Sequence, residues 1–207
     1  MAKYQMNYEA LDDDENKKNG TPYEEFLEWM ETIIFAFFAV IVVFTFILRQ
    51  ANVDGDSMNP TLEDGEKLII HHLFYTPERG DIIIADSQRG YVYSNGSLVE
   101  SVGLGKPIVK RVIAVGGDTV DIDFDTGEVS VNGQVLQEDY IKELTQRDEG
   151  GHEYPLVVPD GCCFVMGDNR MNSLDSRSGA VGFIPDDEIM GKVIFRLWPM
   201  SRLGKVE

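Results

Sequence analysis

The sequence predicts a mainly β chain, an antiparallel β-sheet or barrel-like domain preceded by one N-terminal helix that crosses a membrane. Three observations predict it. Thr32–Leu48 is a run of 17 residues without a charge. After Gln50, short β-type runs alternate with turn residues almost to the C-terminus. Within them, Thr119–Leu136 carries a two-residue alternation of apolar and acidic side chains and an Asn132-Gly133 hairpin signal.

At 207 residues there is room for one main domain and an accessory segment. Residues 1–28 form the first part. Nine acids lie within residues 1–31 against Lys3, Lys17 and Lys18, and the first twenty residues are polar and end at Gly20-Thr21-Pro22, which predicts a disordered acidic tail. Residues 29–49 form the anchor. The uncharged run has no polar face, which excludes an amphipathic surface helix. It covers roughly 25 Å as a helix, a little short of a hydrocarbon core. Trp29 and Met30 at one end and a snorkelling Arg49 at the other extend it. A buried core helix is the competing reading. A cleaved signal peptide fits poorly, because the preceding segment is acidic and Arg49 would stand at −3 of a cut after Ala51. Charge counting alone leaves the orientation open.

Residues 50–207 form the β-rich domain. Strands are expected at Lys67–Ile70, Asp81–Ile84, Ile108–Val115, Thr119–Phe124, Glu128–Val131, Gln134–Leu136, Cys162–Met166 and Lys192–Trp198, with residues 119–160 as a smaller inserted or cap subregion. A formal net charge of −18 argues against nucleic acid as a partner, since phosphate recognition needs a basic face. Cys162 and Cys163 are the two cysteines; being adjacent, they cannot staple the fold and read as reduced thiols on a strand.

Several apparent sites dissolve on inspection. Asp121, Asp123 and Asp125 begin like a calcium loop, but Gly127 falls one place late and Asn132 stands where the bidentate acid belongs. Gly103-Leu104-Gly105-Lys106 lacks the spacing and the hydroxyl of a phosphate loop. His71 and His72 point to opposite faces of a strand, and no metal-ligand or Ser-His pattern involves them or His152. No metal or cofactor is expected.

Three segments hold the candidate chemistry. In Val53-Asp-Gly-Asp-Ser57-Met-Asn-Pro60-Thr-Leu62, Gly55 frees the backbone and Pro60 restricts it, placing Ser57 on a tight turn. In Ile108–Asp118, strand alternation puts Ile108, Lys110 and Val112 on one face and Val109, Arg111 and Ile113 on the other. If the first face is inward, Lys110 loses water, and its ammonium is disfavoured toward the range a general base needs. Gly167-Asp168-Asn-Arg170-Met-Asn-Ser173-Leu-Asp175-Ser-Arg177 is crowded with hydrogen-bonding groups, and Asp175 and Arg177 are candidates for an ion pair. Singly, each segment also reads as an ordinary turn, an edge strand or a polar loop.

In their order, GDSMNPTL, RGDIII at Arg79–Ile84, KRVIAVGGD and GDNRMNSLDSR, behind one apolar run, resemble the type I signal peptidases, most of all the single-anchor forms of Gram-positive bacteria. The resemblance covers nearly all of Thr32–Trp198. It implies a membrane-bound serine protease that removes signal peptides from exported preproteins after small residues at −3 and −1. Ser57 would be the nucleophile and Lys110 the general base. Ser173 would orient the Lys110 amine, and Asp168, Asp175 and Arg177 would brace the loop. Met58, Leu62, Ile108, Val109 and Val53 would form shallow substrate pockets. Some members carry a serine hydroxyl two residues before the nucleophile as an oxyanion donor; Gly55 stands there in this chain. The resemblance also implies a cytoplasmic tail, an extracytoplasmic catalytic domain, contact with membrane lipid and proximity to the secretion machinery. Two alternatives stay open: a relative dedicated to one precursor class, and a tethered β-domain that binds peptides without cutting them.

Overall fold

The structure is a computed structural model that describes residues 21–42 and 48–206. They belong to two compact units, a helix and a β-region.

Helix α1 spans Pro22–Val42. Thr21 and Glu24 form its capping box: the Thr21 N–H donates to Glu24 Oε2 at 2.7 Å, and the Glu24 N–H to Thr21 Oγ1 at 3.4 Å. Pro22 takes the first helical position, where its missing N–H costs nothing, and Glu24 and Glu25 sit in the positive first turn. This start corrects the expected helix of residues 29–49. The T-P-x-E signal places the beginning earlier, and Leu48 and Arg49 belong to a strand. No described helix is long and apolar enough to cross a membrane. The apolar run continues through residues 43–47, which lie outside the described residues, as does the tail of residues 1–20.

The β-region contains β1 (Leu48–Asn52), β2 (Lys67–His71), β3 (Ile82–Ser87), β4 (Gly90–Ser94), β5 (Ser97–Ser101), β6 (Lys106–Val115), β7 (Thr119–Asp123), β8 (Glu128–Val131), β9 (Gln134–Val135), β10 (Leu156–Val157), β11 (Cys162–Met166), β12 (Ile184–Pro185), β13 (Ile189–Trp198) and β14 (Gly204–Lys205). The main sheet is antiparallel in the order β1-β2-β13-β3-β6-β11-β12, with β14 on β13. Its path is open at β1 and β12, so it is a sheet and not a hydrogen-bonded barrel. Residues 119–157 build a second sheet, β10-β7-β8-β9. There Val120 and Ile122 are buried while Asp121 and Asp123 face solvent, and Asn132 and Gly133 take the positive φ of 54° and 76° that a two-residue hairpin requires. A two-stranded ribbon, β4-β5, turns in the same way at Asn95-Gly96, with φ of 51° and 75°.

Cys162 and Cys163, adjacent on β11, point into two different hydrophobic clusters. Both are free thiols. Burial, with Asp186 and Asp187 behind it, pushes the Cys162 thiol up to about 11, and burial beside Asp186 raises that of Cys163 further. Elsewhere, β13 reaches the segment between β1 and β2 through Arg196, which donates to the buried Glu66 at 2.6 Å and to the Thr61 carbonyl at 2.5 Å.

Glu66→Ala should therefore strand a buried guanidinium. We expect it to lower stability by about 3–5 kcal/mol, read as a fall in the urea midpoint of the detergent-solubilised chain.

Candidate active site

The segment between β1 and β2 is a loop closed at its neck and rooted in the core. The Val53 N–H donates to the Glu66 carbonyl at 2.9 Å, and the Gly65 N–H to the Val53 carbonyl at 3.0 Å. Gly55, at φ +88°, allows the chain to reverse, and its N–H is held by Asp64 Oδ1 at 2.8 Å. Val53, Met58 and Leu62 then plug into the hydrophobic cluster built on Leu68, Ile70 and Ile82. Ser57 is left at the crest of the turn, partly exposed between the exposed Asp56 and the buried Met58.

Lys110 is delivered by β6, a central strand between β3 and β11. The predicted alternation holds in that Ile108, Lys110 and Val112 are all buried, Lys110 at 5% exposure. Arg111, on the opposite face, is buried as well, so neither cation is an edge-strand charge. Ile83 lies directly across from Lys110 on β3. Lys110 Nζ donates to Ser57 Oγ at 2.7 Å and to the Val109 carbonyl at 2.9 Å. Loss of water lowers the Lys110 pKa to about 8; Lys106 adds to the fall, and Asp175 and Asp168 oppose it.

The loop after β11 holds these two parts in place. Asp168 accepts from Arg111 Nε and Nη2 at 2.9 and 2.8 Å, and from Thr61 Oγ1 at 2.5 Å. One carboxylate thus ties the β6 strand to the Ser57 loop. Arg111 also lies over the Tyr140 ring, 3.9 Å from its centroid. Asp175 accepts two bonds from Arg177 at 2.9 Å and one from the Gly167 N–H at 3.0 Å. Burial alone would raise the Asp175 carboxyl, but Arg177, the Gly167 N–H and, least, the Ser173 hydroxyl hold it below the ordinary carboxylate range. Arg177 continues to the carbonyls of Arg170 and Arg147, at 2.8 and 3.1 Å. Arg170, fully buried, pairs with Glu138 and donates to Thr145. Buried pairs of this kind gain little net stability over a hydrophobic core, and what they add is a fixed geometry.

The expected residues therefore divide. Ser57 and Lys110 are in contact, and Asp168, Asp175 and Arg177 form the loop's ion pairs. Ser173 Oγ is buried and forms no hydrogen bond of good geometry among the described residues. The bond to the Lys110 amine that the resemblance implied is not made: Lys110 reaches Ser57 and Val109 instead, while Ser173 packs on the Gly167 Cα. Ile108 and Val109 line a cleft of about 540 Å³ beside Ser57 and Lys110, together with Ala51, Ile70, Ile84 and Leu174. Met58, Leu62 and Val53 do not line it; they form the floor that supports the Ser57 turn.

Two further residues touch the turn. The Asn169 N–H donates to the Ser57 carbonyl at 3.0 Å, and Asn169 Nδ2 to the Asp56 carbonyl at 3.0 Å. A Cβ on Gly167 would stand 2.2 Å from Ser173 Oγ and 2.4 Å from the Ser57 carbonyl oxygen, so only glycine lets the loop approach this closely. The sequence signal for both was their place inside GDNR; nothing local announced their targets.

Residues 26–198 match the family described as signal peptidase, peptidase S26. A probable signal peptidase I-1 of Synechocystis sp. is 36% identical over 198 residues, covering 93% of this chain and 92% of that protein. Signal peptidase I of Bacillus licheniformis is 34% identical over 201 residues, covering 93% and 96%. A crystal structure of a signal peptidase I from Enterococcus faecalis V583 is 30% identical at a TM-score of 0.42, covering 57% of this chain and 97% of that one.

Gly167→Ala should displace the Ser57 carbonyl and with it the Ser57–Lys110 contact. We expect at least a 100-fold loss of peptide cleavage with a folded far-UV circular dichroism spectrum, because a shift of about 1 Å at reacting groups costs that much.

Proposed function

The chain belongs to the signal peptidase family, peptidase S26, and is a serine endopeptidase of the signal peptidase I type; we propose that it cleaves exported preproteins after small residues at −3 and −1, with Ser57 as nucleophile and Lys110 as general base. One observation carries the reading: the 2.7 Å contact between Ser57 Oγ and an Nζ buried among apolar side chains.

A serine hydroxyl is a weak nucleophile until a neighbouring base takes its proton. An exposed lysine, with a pKa near 10.4, is protonated at neutrality and cannot do so. Lys110, lowered to about 8, has an accessible neutral form. In that form the contact runs the other way, Ser57 O–H donating to the Nζ lone pair. Ser57 Oγ then bonds to the scissile carbonyl carbon as its proton passes to Nζ. The carbonyl oxygen becomes an oxyanion, for which the Ser57 backbone N–H, without a partner among the described residues, is the candidate donor. As the C–N bond breaks, the Lys110 ammonium returns the proton to the leaving amine of the mature protein. A water molecule, deprotonated in turn by Lys110, hydrolyses the acyl-enzyme and frees the signal peptide.

An extended substrate would lie in the cleft between the β1 and β6 residues as an added strand, with alternate side chains directed at its wall. Ile108 and Val109 contribute to that wall. We further assign the apolar run that begins at Thr32 to a membrane anchor, with the tail cytoplasmic and the β-region extracytoplasmic, in contact with lipid near the secretion machinery. Supporting this are the charge-free sequence through residue 47 and the short connection from there to Ser57.

With an Ala-x-Ala preprotein in detergent, Ser57→Ala and Lys110→Ala should each lower cleavage by at least about 1000-fold. For the wild-type chain, the rate should climb about tenfold per pH unit below pH 8 and level off above it, because only the neutral amine accepts the proton. A rate flat from pH 6 to 9 would contradict the proposed base.

The same burial affects stability. An unfolded lysine keeps its proton to about pH 10.4, whereas folded Lys110 gives it up near 8, so the folded chain gains about 3 kcal/mol as pH rises between these values. Lys110→Met, which has no amine to desolvate, should be the more stable chain at pH 7. That advantage should shrink from pH 8 to 10 in parallel urea titrations.

A further inference from the structure

We propose that Asn169 is a positioning residue for the oxyanion: it clamps the two peptide units flanking Ser57, so that the Ser57 N–H is fixed toward the cleft. This rests on the reading of Ser57 as the nucleophile and goes beyond it by naming what aims the donor.

The geometry is specific. Asn169 Nδ2 holds the carbonyl of the peptide before Ser57, and the Asn169 N–H holds the carbonyl of the peptide after it, both at 3.0 Å. The Asp56–Ser57 peptide is trans, since the cis bonds among the described residues precede Pro60, Pro155 and Pro199. In a trans peptide the C=O and N–H point in opposite directions. Anchoring the Asp56 carbonyl on Asn169 therefore turns the Ser57 N–H away from the loop after β11. The Asn59 N–H adds a second bond to the same carbonyl at 3.1 Å. With two donors on its oxygen, this peptide is polarised, and its N–H becomes a better donor to a developing negative charge.

Asn169 is itself fixed. It is 4% exposed, follows Asp168 in its buried pair with Arg111, and precedes the fully buried Arg170. The clamp is thus built before substrate arrives, as electrostatic stabilisation of a transition state requires. It also bears on Gly55, whose hydrogen atom offers no second donor: with one N–H available from this turn, its direction matters more.

Asn169→Leu removes the amide while keeping the number and branching of heavy atoms and adding no charge, and Asn169→Asp removes the donor while keeping the shape. Each is assayed on an Ala-x-Ala preprotein beside wild type and Ser57→Ala, and each is titrated with a peptide aldehyde ending in alanine and with the corresponding carboxamide. The aldehyde forms a hemiacetal whose oxygen mimics the oxyanion; the carboxamide does not. We expect kcat to fall about 30-fold or more with KM within twofold, the aldehyde to weaken by a similar factor and the carboxamide to bind unchanged. In Asn169→Leu the pH dependence should keep its midpoint, because the base is untouched. A wild-type kcat in folded variants would overturn the proposal, as would equal losses for aldehyde and carboxamide. If neither variant folds, it is likewise overturned, Asn169 then serving the fold. Should Ser57→Ala still cleave, the nucleophile assignment falls, and this inference with it; an inert Ser57→Ala beside a fully active Asn169→Leu removes the inference alone.

Discussion

The structure around Ser57 depends on keeping one amine away from water while leaving it in contact with a hydroxyl. Desolvation disfavours the charged form of Lys110, and the surrounding groups determine how much of that effect survives. Asp175 and Asp168 both pull toward protonation. Each is matched by its own arginine, Arg177 and Arg111, through two hydrogen bonds. The two guanidiniums therefore do more than stiffen a loop. They place countercharges on two carboxylates beside a group that must lose its own charge, and loss of water at Lys110 outweighs the pull that Asp175 and Asp168 still exert.

The same ties solve a problem of assembly. Ser57 and Lys110 are 53 residues apart, on a loop and on a central strand, and a contact of 2.7 Å between them needs a third element that touches both. The loop after β11 is that element. Asp168 reaches Arg111 next to the lysine and Thr61 in the nucleophile loop, and Asn169 reaches the carbonyls on either side of the serine. Gly167 sets the distance, because its bare Cα lets the Ser57 carbonyl approach. The loop is in turn fastened to residues 138–147 by Arg170 and Arg177, so the segment carrying the second sheet also braces the site.

What could be read from the sequence was what is encoded locally. Val120, Ile122 and their acidic neighbours announced a strand with one wet face, and Asn132-Gly133 announced its hairpin. The same dipeptide at Asn95-Gly96 lies between Ser94 and Ser97, and its strands carry Tyr-Val-Tyr and Leu-Val without an alternation that marks a buried face, in keeping with a ribbon that is mostly exposed. β1 is hidden for a different reason: Leu48 closes the apolar run and Arg49 reads as its snorkelling flank, and only their pairing with β2 makes them a strand. Alternation placed Lys110 on one face with Ile108 and Val112 but left open whether that face is inward, and the partners of Asp168 and Asn169 lie 57 and 113 residues away and have no local signature. Hydrophobicity failed at Val53, Met58 and Leu62, since an apolar residue beside a nucleophile looks the same whether it faces the cleft or supports the turn from below. It does the latter.

The two thiols of β11 bring out a last consequence. Attack by disulfides or peroxides requires a thiolate on the surface, and these sulfurs are covered and held protonated through any ordinary pH. Nor do they face one another, since neighbouring positions on a strand send them into separate clusters. Cys162 therefore serves as hydrocarbon-like filling, while the Cys163 thiol adds one weak bond, donating to Asp186 Oδ1 at 3.4 Å. Neither thiol should change its state between a reducing broth and an aerated one.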